Sequence, residues 1–252
     1  MLGNDVVDLR DADSRPESFR PRFDARVFTP EERRAIARDQ QPLIRRWAHW
    51  AAKEASFKLG KQLDPDFVFA PGRLQVRFDS GAPGTGRRLE HRGVVEWIGA
   101  SERTPLGRIE VRSFETEERV HLIALPAGAD WAAVDFAVEA LETPTTDPSA
   151  SVRRLAVREI ARSLGVEPHR LSIGRRASSD SDSPRSAKSA TGRPGRVPTV
   201  LLDGVETSLA LSLSHHGRWI GYAMTPRIEA VIVANGQWEF WSGPVTAGAT
   251  TP

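Results

Sequence analysis

The sequence predicts an α+β protein in two halves, each pairing one long helix with an antiparallel sheet. Three observations carry that expectation. Apolar residues recur at helical spacing in two long runs, roughly 43–61 and 151–164. Each run is followed by short stretches with the alternation of strands. Between the halves, residues 126–148 turn Ala-rich and then Pro- and Thr-rich, the composition of a connection. At 252 residues the chain can bury a sizeable core, as one large domain or two packed lobes.

The opening LGNDVVDL reads as a strand, with Asp5, Val7 and Leu9 on one face by period-two alternation. A polar loop follows. At Thr29-Pro30-Glu31-Glu32 a threonine N-cap, a proline in the first turn and two acids start a helix expected to run to about Arg38. Pro42 opens the longer helix, to about residue 61. RLQVRF, GVVEWI, GRIEVRSF and RVHLIALP then read as successive antiparallel strands. The second half starts near Ala150, where Val152, Leu155, Ile160 and Leu164 lie near helical spacing and Gly165 is a natural stop. A strand at LSIGRR, a Ser-rich polar loop expected to be mobile over 177–191, and two more strands at TVLLDG and SLALSLSHHGRWIGYAM complete it. Beyond Arg227, VIVANGQWEFW reads as a small hairpin turning at Asn235-Gly236, and the last ten residues read as disordered. The expected units are therefore 1–126, 150–226 and a C-terminal extension, 227–252.

Composition excludes several classes of chemistry. With no cysteine there is no disulfide, no thiolate zinc site and no cysteine nucleophile. The first residues carry acids within a short apolar run and lack the basic and apolar regions of an export signal. No stretch approaches the roughly 20 apolar residues of a membrane span, so a cytoplasmic protein without a membrane partner is expected. The net charge is only +2 and the acids are interspersed, which argues against a nucleic-acid partner. Lysine occurs only at 53, 58, 61 and 188, so three of four fall within nine residues of an otherwise Arg-rich chain. A lysine is a compact point charge that arginine does not always replace.

Three positions invite chemistry. Asp5 shares its face with Val7 and Leu9 and should point to the covered side of its strand, where a carboxylate is costly unless paired or bound to a cation. The ordinary alternative is an aspartate satisfied by backbone amides or an arginine. Glu54 lies in a helical stripe with Trp50, Ala51, Phe57 and Lys58; its ordinary partner would be Lys58 at i+4, while with Asp5 it could hold one hard cation such as Mg²⁺. In LALSLSHHG, His215 continues the face of Leu209, Leu211 and Leu213, whereas Ser212, Ser214 and His216 share the other. A lone buried histidine is more often structural than functional.

Together these segments resemble the 4'-phosphopantetheinyl transferase superfamily. Gly3-Asn4-Asp5-Val6-Val7-Asp8 is similar to its G-x-D strand, and Trp50-Ala51-Ala52-Lys53-Glu54-Ala55-Ser56-Phe57-Lys58 to its W/F-x-x-K-E-A/S-x-x-K helix. Gly192-Arg193-Pro194 resembles the G-K/R-P turn, and Ser212-Leu213-Ser214-His215-His216 the S-x-S-H-S/T strand. The motif order is that of the short, carrier-protein synthase type, while the length is that of the double form. The resemblance thus implies a permuted pseudo-dimer: two pseudo-symmetric lobes with one active site between them, and a monomer. It implies Mg²⁺ held by Asp5 and Glu54, catalysis by Glu54 and Lys58, and coenzyme A contacts from Lys53, Lys58, Arg193, Pro194, Ser214, His215 and Arg154, with Arg153 the alternative to Arg154. The implied partners are coenzyme A and an acyl or peptidyl carrier protein. Two departures stand out: Val7 occupies the place of a second strand acid, and His216 that of a serine or threonine. Asp8 points to the opposite strand face and should not reach a metal.

Two rival readings lead to different measurements. A silent superfamily member would bind coenzyme A or a carrier without incorporating a labelled arm. An Arg-rich nucleic-acid-binding protein, favoured by a pI near 9.4 and seven tryptophans, would bind nucleic acid with steep salt dependence.

Overall fold

A computed structural model describes residues 1–20, 22–64, 67–79, 89–98, 107–143, 147–176, 197–226, 229–232 and 238–241. The first half begins with strand β1 (Gly3–Asp8), followed by a short helix α1 (Phe23–Val27), α2 (Pro30–Arg38) and the long α3 (Pro42–Leu63). Strands β2 (Leu74–Phe78), β3 (Leu89–Trp97), β4 (Arg108–Glu115) and β5 (Arg119–Pro126) complete it. The second half has β6 (Asp135–Ala140), α4 (Pro148–Leu164), β7 (Leu171–Arg176), β8 (Val197–Leu202), β9 (Val205–His216) and β10 (Trp219–Pro226). A separate pair, β11 (Glu229–Ile232) with β12 (Trp238–Trp241), is the antiparallel hairpin expected beyond Arg227; its turn lies outside the described residues.

The two halves repeat one topology. The first sheet runs β1-β5-β4-β3-β2 and the second β6-β10-β9-β8-β7, all antiparallel, each with its long helix inserted after the first strand. This is the α+β fold of two similar lobes that the sequence predicts. Two elements differ from that reading. The stretch between Pro126 and Pro148 is not a plain connection, because β6 lies within it and forms the edge of the second sheet. The run SLALSLSHHGRWIGYAM is not one strand: it folds back at Gly217-Arg218, with Gly217 at φ +53°, into β9 and β10.

Local chemistry explains the helices. Thr29 and Glu32 close a capping box at the start of α2, the Thr29 Oγ1 accepting from Glu32 N and the Glu32 carboxylate from Thr29 N. Asp147 caps α4 by accepting from Ala150 N at 2.8 Å, and Gly165 ends it in the left-handed region. The inner stripe of α3 is Ala48, Ala51, Ala52, Ala55 and Leu59, small residues that let the helix sit close on its sheet. At Gly3 the approach is closest: a Cβ there would stand 1.8 Å from the Ala55 carbonyl oxygen.

Each sheet has one face under its helix and the other against the second lobe. Val7, Leu122, Val111 and Val95 pack beneath α3, and Leu211, Ile220, Tyr222 and Val200 beneath α4. Leu2, Phe114, Ile123 and Leu125 of the first sheet meet Ala210 and Ala223 of the second, so the sheets stack back to back with helices outside. Polar bonds extend this seam along β1. Asp8, buried, accepts from Arg218 N at 3.0 Å, and its own N–H donates to His216 Nδ1 at 3.1 Å. Asp8 therefore faces away from α3, as alternation predicts. Among the described residues no helix is long and apolar enough to cross a membrane.

Candidate active site

Asp5 projects from β1 toward α3, which presents Glu54 and, one turn on, Lys58. The Lys58 ammonium donates to Asp5 Oδ1 at 2.8 Å and to the Asn4 carbonyl at 2.9 Å. The ion pair is thus Asp5 with Lys58, not Glu54 with Lys58. Among the described residues Glu54 takes no hydrogen bond. Burial first, and the Asp5 charge second, push its carboxyl up to about 7, with Lys58 offsetting part of the rise. Two carboxylates sharing one lysine, one of them desolvated and without a donor, make a donor set short of positive charge. That suits a hard divalent cation, which commonly takes one or two carboxylates and completes its shell with water and substrate phosphate. Val7 is buried in the α3 core, so no strand acid supplements the pair, and among the described residues no group of three potential metal ligands occurs.

Lys58 also borders a cleft of about 690 Å³ between the lobes. Phe57, Lys58 and Lys61 of α3 form one wall; Ser149 and Arg153 of α4, Arg175 of β7 and His215 of β9 form the other. Four cations line it, and among the described residues no acid does. Such a wall favours a polyanionic ligand. His215 Nε2 lies 3.3 Å from Ser149 Oγ, and burial, then the Lys58 charge, lower the imidazole pKa. His215 therefore contributes hydrogen bonding at neutral pH, not a full charge.

Of the residues expected to contact coenzyme A, Lys58 and His215 reach this cleft and three others do not. Lys53 is fully buried beneath α2, donating to Glu32 at 2.8 Å, the Pro71 carbonyl at 2.9 Å and the Leu74 carbonyl at 2.6 Å. It is a structural cation, because α2 covers its side of the helix. Ser214 lies in the seam between lobes, where its hydroxyl donates to Asn4 Oδ1. Arg154 is exposed and donates to Ser151 Oγ; its neighbour Arg153 faces the cleft. Arg193 and Pro194 lie outside the described residues. Lys61, Arg175 and Ser149 were not anticipated. Lys61 carried a usable signal, since three residues after Lys58 it shares that face of α3.

Residues 1–124 match the model of the 4'-phosphopantetheinyl transferase superfamily. The chain carries a domain of that superfamily. Among curated proteins none matches the chain. The superfamily match spans β1 and α3, and so includes Asp5, Glu54 and Lys58.

Internal symmetry shows why the two lobes differ in the charges they present. The β4–β5 and β9–β10 hairpins have matching registers, Thr116 meeting Arg119 as His216 meets Trp219, which aligns Glu115 with His215 and, through the edge strands, Ala137 with Asp5. When the buried stripes Ala48-Ala51-Ala52 and Val152-Leu155-Ala156 are aligned, Arg45 and His49 fall where Ser149 and Arg153 stand. These first-lobe counterparts line a second cleft of about 560 Å³. Its lining holds five acids against two arginines, and Arg45 is already paired: it donates to Asp39 at 2.8 Å and lies 3.6 Å from Glu115, which also accepts from Ser113 at 2.8 Å. Burial drives His49 down to about 4, so it adds no charge. That cleft lacks the surplus of cations found in the first, and Ala137 stands where the first lobe has Asp5.

Proposed function

We propose that the chain is a Mg²⁺-dependent transferase moving the 4'-phosphopantetheine arm of coenzyme A to a serine of an acyl or peptidyl carrier protein. The observation that carries this reading is the pair Asp5 and Glu54 beside Lys58, a lysine that also borders a cation-lined cleft shared by both lobes. The superfamily match to the first lobe supports the reaction class.

In this reading the cleft cations bind the phosphates of coenzyme A, with Lys58 and Lys61 from one lobe and Arg153 and Arg175 from the other, and His215 adds a hydrogen bond. By resemblance Arg193 and Pro194 border the adenine. Asp5 and Glu54 would hold Mg²⁺, which when bound supplies positive charge against the pyrophosphate. The carrier serine oxygen forms a bond to the β-phosphorus while the bond from that phosphorus to the bridging oxygen breaks. Adenosine 3',5'-bisphosphate leaves with the electron pair. The serine proton passes to Glu54 or to a water held beside it. Lys58 stabilises the charge that develops on the leaving group. Positioning and electrostatics do the rest, as in other phosphoryl transfers.

The test is incorporation of a labelled arm from coenzyme A into an apo carrier by the purified chain. Transfer that requires Mg²⁺ supports the reading. Binding of coenzyme A without transfer would instead make the chain a silent member of the superfamily.

A further inference from the structure

Asn4, the middle residue of the G-x-D motif, is fully buried, and each of its polar groups has a partner across an element boundary. β1 is the edge of its sheet, so the Asn4 N–H and carbonyl point outward, away from β5. The N–H donates to Ser212 Oγ at 2.9 Å, and the carbonyl accepts from Lys58 Nζ at 2.9 Å. In the side chain, Nδ2 donates to the Ser212 carbonyl and Oδ1 accepts from Ser214 Oγ. Three of these four bonds reach β9, the strand that carries His215 into the cleft; the fourth holds the active-site lysine.

We propose that Asn4 is a positioning residue that sets Lys58 in register with the phosphate-binding wall of the second lobe. The inference rests on the transferase reading above, because it gives Lys58 its work. No apolar side chain of this size would serve: it would lose both side-chain bonds to β9 and leave the Ser214 hydroxyl only its 3.4 Å bond to the Gly221 carbonyl. Asn4 touches no reacting atom. Its influence passes through Lys58 on one side and β9 on the other, so it should matter most when both lobes must grip one pyrophosphate. Coenzyme A binding in the ground state, dominated by Arg153, Arg175 and His215, should be less sensitive.

The experiment combines kinetics with lysine footprinting on the full chain. Asn4→Ala should lower kcat by about 10-fold or more, since small misplacements at a reacting centre are that costly, while KM for coenzyme A moves less than about 3-fold. In a Lys58→Ala background the same substitution should cost nothing further. Equal losses in both backgrounds, or a fall in melting temperature with kcat unchanged, would overturn the proposal. Brief acetylation with acetic anhydride, read by mass spectrometry, gives a second measure that needs no turnover. Asn4→Ala should raise labelling of Lys58 relative to Lys61, which lies on the same helix and provides the internal control. An unchanged ratio refutes the assignment. If Asn4→Ala does not fold, Ser214→Ala removes one of the four bonds and should shift kcat and the labelling ratio in the same directions. Should the wild-type chain transfer nothing, the transferase reading falls, and the labelling ratio alone decides whether Asn4 positions Lys58.

Discussion

Replacing Glu54 by glutamine should separate what this side chain costs the fold from what it gives to the reaction. Its carboxyl is raised from 4.5 to about 7, chiefly by burial and then by Asp5. An acid raised in the folded state is a liability above its unfolded pKa: between 4.5 and 7 the native protein holds a proton that the unfolded chain has released, so stability falls as pH rises. At about 1.4 kcal/mol per pKa unit, and allowing for the share that belongs to Asp5, the penalty at pH 8 is of order 2 kcal/mol. Glutamine removes that charge at nearly constant volume. In EDTA at pH 8, Glu54→Gln should therefore melt about 4–8 °C higher than wild type, the range expected for a chain of this size. The gain should shrink as pH falls and vanish well below 4.5, where the wild-type carboxyl is protonated in both states. Mg²⁺ should raise the melting temperature of wild type, leave the variant unmoved, and restore transfer only in the former. A variant that melts below wild type at pH 8 in EDTA would refute the reasoning, because Glu54 would then have a stabilising partner in the fold.

Three further outcomes follow from the packing and the cleft. Gly3→Ala places a methyl 1.8 Å from the Ala55 carbonyl, a backbone clash that cannot relax by side-chain movement, and should cost more than about 3 kcal/mol in denaturant melts. Lys53→Met strands the buried Glu32 carboxylate and should destabilise by about 3–5 kcal/mol in the same assay, while KM for coenzyme A in the surviving folded protein stays unchanged. Arg153→Ala should raise KM for coenzyme A about 10-fold by removing one charge-assisted phosphate contact, whereas Arg154→Ala, which alters an exposed residue outside the cleft, should leave it alone.

The placement of Asp5, Glu54 and Lys58 on facing elements was legible because its signals are local. Asp5 alternates with Val7 and Leu9, and Glu54 and Lys58 share a helical stripe, so each direction follows from the element's own period. What escaped depends on partners distant in sequence. The inward-facing Lys53 is paired by Glu32 of α2, and only the fold brings α2 over that side of α3. Ser214 was assigned to the correct strand face, but what covers that face is β1, some 210 residues earlier. β6 escaped because it is a half-exposed edge strand containing two alanines, with weak alternation against its neighbours. The turn between β9 and β10 was hidden in a continuous apolar run, although Gly217 marked the position where a positive φ is needed. The repeated topology of the lobes leaves no trace as sequence repetition, since alanine and glutamate now stand where the other lobe has Asp5 and His215.

Asp5 and Glu54 are proposed to form a cation site serving phosphopantetheine transfer. The most direct measurement is the rate at which a labelled arm passes from coenzyme A to an apo carrier, titrated with Mg²⁺, for wild type and Asp5→Asn, with circular dichroism confirming that both are folded. The account predicts saturable Mg²⁺ dependence in wild type and a loss of at least about 100-fold in the folded variant. Transfer that persists in EDTA, or that survives Asp5→Asn undiminished, would contradict it.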